Sequence, residues 1–123
     1  MKKITCCILA PEKVSPYSEY ECIYNLFITL TEEFEHIEVL FSNQHNFNFY
    51  CLEILNEIRN KKPNVTITTT KYLSKYETSD YIKQENLKNF DNVLLTKHNS
   101  YSEVNFILQR DFQMIDNSDI VLF

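Results

Sequence analysis

The sequence predicts an α/β domain in which helices cover both faces of a mostly parallel sheet. Three observations support this prediction. Segments with strand and helix patterns alternate along the whole chain, the predicted strands are short apolar runs, and the length of 123 residues suits one domain. We therefore treat residues 1–123 as a single domain.

The composition fits a folded domain and argues against one class of partner. Hydrophobic residues make up 44% of the chain and aromatic residues 14%, which is enough apolar mass for a core. The net charge is -5, and no basic run is present that would neutralise several phosphates, so we expect no binding to nucleic acid. The chain contains no glycine, so its turns have to be made by Asn, Asp, Ser or Pro.

The first strand and the first helix are predicted near the amino terminus. The apolar run at residues 4–9 stops before Pro11, which indicates a buried strand. Ser18 and Glu21 have the spacing of a capping box, and apolar residues then recur at helical intervals up to about Glu33.

A second strand, a second helix and a third strand are predicted in the middle of the chain. Residues 36–42 form an apolar run that ends in a polar stretch. Residues 47–60 carry apolar side chains at helical spacing, and Pro63 marks the end of that helix. Residues 65–69 alternate β-branched side chains, and the polar segment 71–79 is predicted to be a loop.

The last third of the chain predicts two helices and two strands. A short helix over 80–89 precedes a strand over 92–96, and a second capping-box spacing opens a helix over 100–114. An apolar strand follows at 119–123. Asp and Ser residues before it are expected to shape the turn, because they bond to their own backbone.

This alternation predicts a Rossmann-like three-layer sandwich with five mostly parallel strands. Right-handed crossovers leave few strand orders. We favour the order 3-2-1-4-5, with the first strand central, over the flavodoxin-like order 2-1-3-4-5, in part because of the resemblance described below. Seven strand side chains are expected in the core: Cys6, Ile8, Val39, Phe41, Ile67, Leu94 and Val121.

The cysteines and the amino terminus indicate the cellular compartment in which the protein works. Cys6, Cys7, Cys22 and Cys51 lie in apolar segments without the paired spacing of zinc sites, so we predict reduced, buried thiols, no metal and no other cofactor. The apolar run at 4–10 is too short for a membrane span and lacks a cleavage site. We therefore expect a cytoplasmic protein that does not bind membranes.

Polar side chains follow the predicted strands at the edge where such sheets bind ligands. That edge lies beyond the carboxyl ends of the strands, near the point where the strand order reverses. The candidate ligand-binding residues at these strand ends are Glu12, Asn43, His45 and His98, and Arg110, on the last predicted helix, points either to this edge or to solvent. Imidazole and guanidinium groups can bind an anion, and imidazoles can move protons. The alternative is that these residues are polar only because they meet water.

Three motifs occur in a combination typical of one superfamily. Pro11-Glu12-Lys13-Val14 follows the first strand, Leu40-Phe41-Ser42 closes the second, and residues 109–119 read Gln-Arg-Asp-Phe-Gln-Met-Ile-Asp-Asn-Ser-Asp. In this combination the chain resembles the SLOG superfamily, and more narrowly its YpsA-like branch of small bacterial proteins. The resemblance implies a Rossmann-like fold, a bacterial source, a nucleotide-derived ligand and helix-mediated pairing into homodimers. It also adds Ser42 and Asn48 to the candidate ligand-binding residues.

The chain departs from that family at the glycine motifs. Members typically carry Gly-His-Arg before Pro-Glu-Lys, where this chain has Ile8-Leu9-Ala10. They also carry a Ser-Gly turn and an Asp that opens the second helix, whereas Ser42 is followed by no glycine and Asn48 stands within one residue of that Asp. Glycines let the backbone approach a phosphate closely, so their loss predicts a degenerate site that binds nucleotides weakly or not at all.

Three functions remain open at this point. We favour a non-catalytic SLOG-like binding module for a nucleotide-derived ligand or a protein partner. The first alternative is a small hydrolase of a nucleotide N-glycosidic bond, with Glu53 and His45 as acid/base candidates and Arg110 holding a phosphate. The second alternative is a structural partner subunit. The apolar last strand, together with the resemblance, also predicts a homodimer.

Overall fold

The described part of the chain forms a five-stranded sheet and three helices. A computed structural model describes residues 2–9, 16–42, 45–73, 89–96 and 103–122, and only the backbone of 16–19, 45–47, 103–109 and 122. The elements in chain order are β1 (Lys3–Ile8), α1 (Pro16–Glu33), β2 (His36–Phe41), α2 (His45–Lys61), β3 (Thr66–Leu73), β4 (Asn92–Leu95), α3 (Glu103–Asp116) and β5 (Ile120–Leu122). None of these helices is long and apolar enough to cross a membrane.

All five strands are parallel, which confirms the predicted α/β, Rossmann-like class. Their order is β4-β3-β2-β1-β5, so the predicted order 3-2-1-4-5 is wrong for one strand. The fourth strand pairs with β3 at the edge of the sheet and not with β1, and the central strand is β2. The physical reason is that consecutive strands tend to be neighbours, so the chain steps outward once more before it crosses back to β5.

Side-chain alternation divides the core between the two faces of the sheet. One face carries alternate residues of β1 and β2, such as Cys6 and Val39, and packs against α1 and α2. The opposite face carries Cys7 and Leu40 in a smaller cluster with Met114 of α3. Helices therefore cover both faces, and the domain has three layers.

The structure corrects part of the predicted core. Five of the seven strand residues are buried, but Leu94 is 45% exposed and Val121 is only half-buried. Both lie on edge strands, where one side lacks a neighbouring strand among the described residues. The prediction of four buried thiols fails at Cys22, which lies on an exposed part of α1, whereas the other three cysteines are buried.

Element boundaries also differ from the predicted ones. β3 continues to Leu73, so the beginning of the segment predicted as a loop at 71–79 is strand. α2 begins at His45, two residues before the predicted start. The helix predicted over 80–89 lies outside the described residues except for Asn89.

Each edge strand is preceded by an aspartate that bonds to the neighbouring strand. The Thr69 N–H donates to Asp91 Oδ2 at 2.8 Å, and the Thr5 N–H donates to Asp119 Oδ2 at 2.8 Å. Each aspartate also donates a hydrogen bond to the same threonine: Asp91 N donates to Thr69 Oγ1 at 3.0 Å, and Asp119 N donates to Thr5 O at 2.8 Å. Arg59 adds an ion pair with Asp91 at 2.7 Å. A carboxylate thus fixes the start of both edge strands.

We expect Asp91→Ala and Asp119→Ala each to lower the free energy of unfolding by about 1 kcal/mol, because each removes charge-assisted hydrogen bonds from a partly exposed carboxylate. Urea denaturation at pH 7 measures the change. Asp116→Ala, at an exposed position near the end of α3, is the matched control and should change stability by less than about 0.5 kcal/mol. Equal losses in all three variants would contradict this assignment.

The pH dependence of the free energy of unfolding tests whether the charge of Asp91 causes the loss expected in Asp91→Ala. Burial is the largest single influence and raises the pKa of Asp91, but the Thr69 hydrogen bonds and the Arg59 charge together outweigh it, so the pKa lies below the ordinary 3.8. A lowered pKa stabilises the fold above pH 3.8, and this contribution is lost as the pH falls further. The stability gap between wild type and Asp91→Ala should therefore shrink below that pH.

Candidate functional site

The carboxyl ends of the inner strands bring three polar residues together. In the parallel register Ile8 lies beside Phe41, and Phe41 lies beside Lys71. Ser42 directly follows β2, and Asn48 lies in the first turns of α2. Because α2 begins next to the end of β2, its amino terminus lies at this edge, where parallel α/β domains commonly hold phosphate.

The backbone carbonyl of Ser42 is the centre of this cluster. Asn48 Nδ2 donates a hydrogen bond to it at 2.8 Å, and Lys71 Nζ donates a second one. The Ser42 hydroxyl is directed to the carbonyl of Ile8 at 3.5 Å. All three residues are buried, with exposures of 5% for Ser42, 1% for Asn48 and 0% for Lys71. The Ser42 carbonyl at the end of β2 is therefore satisfied by buried side chains of the protein itself.

Lys71 is the residue of this cluster that the sequence prediction missed. Its Nζ also lies 5.9 Å from the centre of the Phe90 ring, within range of a cation–π interaction, and Phe90 packs edge-on against Phe41 at 5.2 Å. An ammonium group inside a core needs such compensation, because its transfer from water is costly. The sequence does contain a sign that Lys71 is buried. The side-chain alternation of β3 continues to Leu73 and places Lys71 on the same face of the sheet as Ile67.

Arg110 lies on the other face of the sheet, on α3. Its side chain is buried and not directed into solvent, and its Nε donates to Asp111 Oδ1 at 3.0 Å. Met114, one turn further along α3, packs with Cys7 and Leu40 near the carboxyl ends of their strands. A crossover helix runs antiparallel to its strands, so Arg110 lies one turn nearer the carboxyl edge than Met114.

Glu53, a candidate acid/base group, lies on the exposed side of α2. There it is a neighbour of Tyr20, whose hydroxyl donates to Glu57 Oε2 at 2.6 Å. The hydrogen bond with Glu57 is the largest cause of a raised pKa of Tyr20. Glu53 therefore belongs to the outer surface between α1 and α2.

The structure thus brings together two of the predicted site residues, Ser42 and Asn48, and adds Lys71. Glu12, Asn43 and His98 lie outside the described residues, and for His45 only the backbone at the start of α2 is described.

The buried thiols are poor nucleophiles. Burial is the main cause that raises the pKa of Cys6 to about 12 and that of Cys51 to about 12. Burial likewise raises the pKa of Cys7 to about 11, although a hydrogen bond with Ser118 opposes the effect. Since the thiolate is the reactive form, these three side chains act as small apolar groups.

No protein-family model matches the chain, and no curated protein matches it at a significant level. Within the described residues, no three His, Cys, Asp or Glu side chains are grouped so that they could hold a metal ion. Among the described residues, the geometry defines a parallel α/β domain in which Asn48 and Lys71 donate hydrogen bonds to the Ser42 carbonyl at the carboxyl edge.

We expect Asn48→Ala to lower the free energy of unfolding by about 1–3 kcal/mol, because it removes a buried hydrogen bond and leaves the Ser42 carbonyl with one donor fewer. Asn60→Ala is the matched control, since Asn60 is an exposed residue of the same helix and gains the same helix propensity. Urea denaturation of both variants measures the difference. Similar stability in the two variants would contradict the structural role of Asn48.

Thiol labelling provides a further test of the packing. With a thiol-reactive dye at pH 8, we expect Cys22 alone to react within minutes and the three buried cysteines to react only after unfolding, because few of them ionise and none is accessible. The variant Cys22→Ser should then show almost no rapid labelling. Rapid reaction of two or more thiols in the native protein would contradict the burial of β1 and α2.

Proposed function

We propose that this chain is a non-catalytic, Rossmann-like binding module, a degenerate relative of the SLOG proteins, whose partner is a protein and not a tightly held nucleotide. The observation that carries the proposal is the Ser42 carbonyl, which accepts hydrogen bonds from Asn48 and Lys71 at the position where related folds hold a phosphate.

The energetic argument concerns what a phosphate would have to displace. To turn toward a ligand, Asn48 or Lys71 would have to leave a buried carbonyl, and an unsatisfied buried acceptor costs about 1–3 kcal/mol. The chain also contains none of the glycines that allow a backbone to approach a phosphate closely. These two costs support weak nucleotide binding at this edge.

The position of the candidate catalytic groups supports a module without enzymatic activity. A general acid or base has to lie within hydrogen-bond reach of the reacting atoms. Glu53 lies on the outer surface of α2 beside Tyr20, and the buried thiols have raised pKa values. Among the described residues, the cluster at Ser42 offers hydrogen-bond donors and a hydroxyl without a carboxylate.

A nucleotide-derived ligand is the second candidate, and one observation favours it. Arg110 is a nearly buried cation on α3 near the carboxyl edge, held by Asp111. Guanidinium groups are well suited to bind phosphate. In this second candidate, Arg110 would supply a phosphate contact that Asn48 and Lys71 do not supply, because both donate to the Ser42 carbonyl.

We also propose that the protein works in the cytoplasm. All four cysteines are free, although Cys6, Cys7 and Cys51 lie in the core of a small domain. Small domains in oxidising compartments commonly rely on disulfides, so free thiols are typical of a reducing compartment.

Calorimetric titration with AMP, ATP, NAD and ADP-ribose tests the proposal. We expect dissociation constants weaker than about 1 mM, equivalent to less than about 4.1 kcal/mol of binding free energy. A dissociation constant near 1 µM, about -8.2 kcal/mol, would refute the degenerate site. Loss of that binding in Arg110→Ala would then favour the second candidate.

A parallel assay addresses catalysis. Incubation with AMP should release no free base. Base release that disappears in Glu53→Gln but persists in Glu32→Gln, an exposed glutamate of α1, would replace this proposal with the hydrolase.

A further inference from the structure

The edge strand β4 exposes apolar side chains on both of its faces. The exposed fractions are 45% for Val93, 45% for Leu94 and 58% for Leu95. In the register with β3, Val93 lies beside Lys71 and Leu94 beside Tyr72, so consecutive side chains point to opposite faces of the sheet. β4 therefore exposes apolar side chains on both faces of the sheet.

The four residues of β4 do not include the residue types that usually protect an edge strand. Proteins commonly protect sheet edges with charged residues, proline or very short strands. The sequence of β4 is Asn-Val-Leu-Leu, without charge or proline. The opposite edge differs, since β5 has only three residues and its Ile120 and Val121 are half-buried. Among the described residues of the two edge strands, those of β4 expose more apolar surface.

The chemistry of this edge identifies its occupant as another β-strand. In the part of the chain that the structure describes, β4 pairs with β3 only, so its outer backbone groups face away from the sheet. A row of such N–H and C=O groups is a template for strand addition. The occupant has to be apolar at alternate positions on both faces.

A second copy of β4 meets this requirement in one register. A two-fold axis perpendicular to the sheet makes the two strands antiparallel and keeps each side chain on its own face. With Leu94 opposite Leu94 of the second copy, Val93 lies opposite Leu95, and Asn92 lies opposite Thr96. Every exposed apolar residue of β4 then faces another one, and directly opposed apolar pairs stabilise antiparallel strands.

The charges around β4 are compatible with self-pairing. Each chain carries a net charge of -5, so two copies repel each other and the contact must add no further like-charge repulsion. β4 is uncharged, and Asp91 at its start is neutralised by Arg59 at 2.7 Å. No like charges stand opposite each other in the register centred on Leu94.

We propose that β4 is a homodimerisation strand, through which two copies join antiparallel, edge to edge, into one continuous ten-stranded sheet. This inference rests on the proposed protein-binding function and names the partner as a second copy. It moves the expected dimer contact from the last strand to β4.

Charge substitutions at position 94 test the proposal, because this residue faces itself across the axis. Light scattering of the full chain at about 50 µM should show a dimer for wild type and a monomer for Leu94→Lys and for Leu94→Glu alone. An equimolar mixture of the two variants should recover the dimer. Phe112→Lys, at a residue of α3 that is 59% exposed, is the control and should remain dimeric.

Disulfide trapping tests the register in a Cys22→Ser background. Under mild oxidation Leu94→Cys should form a covalent dimer rapidly, because the two residues are directly opposed. Val93→Cys, which is equally exposed but faces Leu95 of the second copy, should form it at least tenfold more slowly. Equal rates would overturn the proposed pairing.

A wild-type monomer, or failure of the mixed Lys and Glu variants to associate, would also overturn the dimer. Neither result would affect the nucleotide titration, which tests the carboxyl edge separately. Tight nucleotide binding by a dimer trapped at position 94 would refute the proposed function and leave the β4 contact intact.

Discussion

The absence of glycine is the constraint on which the rest of this structure depends. No residue in the described ranges adopts a positive φ angle, so the backbone does not enter the left-handed region at those positions. Side chains instead satisfy backbone groups at the strand ends. Asn48 and Lys71 bond to the Ser42 carbonyl, and Asp91 and Asp119 accept from the N–H groups of neighbouring strands. At the carboxyl end of β2, where related folds present backbone N–H groups to a phosphate, Asn48 and Lys71 instead direct their donors to a backbone carbonyl.

The fold class could be predicted from the sequence because burial on both faces leaves a continuous apolar run, and β1 and β2 show such runs. The strand order could not, since alternation of strands and helices does not say on which side of the sheet the chain continues. The exposure of Leu94 follows from that order. An apolar run such as β4 suits a buried central strand, but in the observed order β4 lies at an edge.

The candidate site could be predicted only in part. Ser42 and Asn48 were included because the resemblance implies polar site residues at the end of the second strand and near the start of the second helix, and both residues lie there in the structure. Lys71 was missed because a charged residue after a threonine-rich run resembles the start of a loop. Its burial depends on the Ser42 carbonyl and the Phe90 ring, groups distant in sequence, and pairing of that kind leaves no periodic signal.

The crossover through α3 gives the two edges of the sheet a common element. Among the described elements, α3 alone lies in sequence between β4 at one edge and β5 at the other, strands that are separated by the three inner strands. Arg110 lies in the middle of that helix. If a ligand at Arg110 binds the dimer joined at β4 and the monomer with different affinities, the ligand must in turn shift the dimerisation equilibrium.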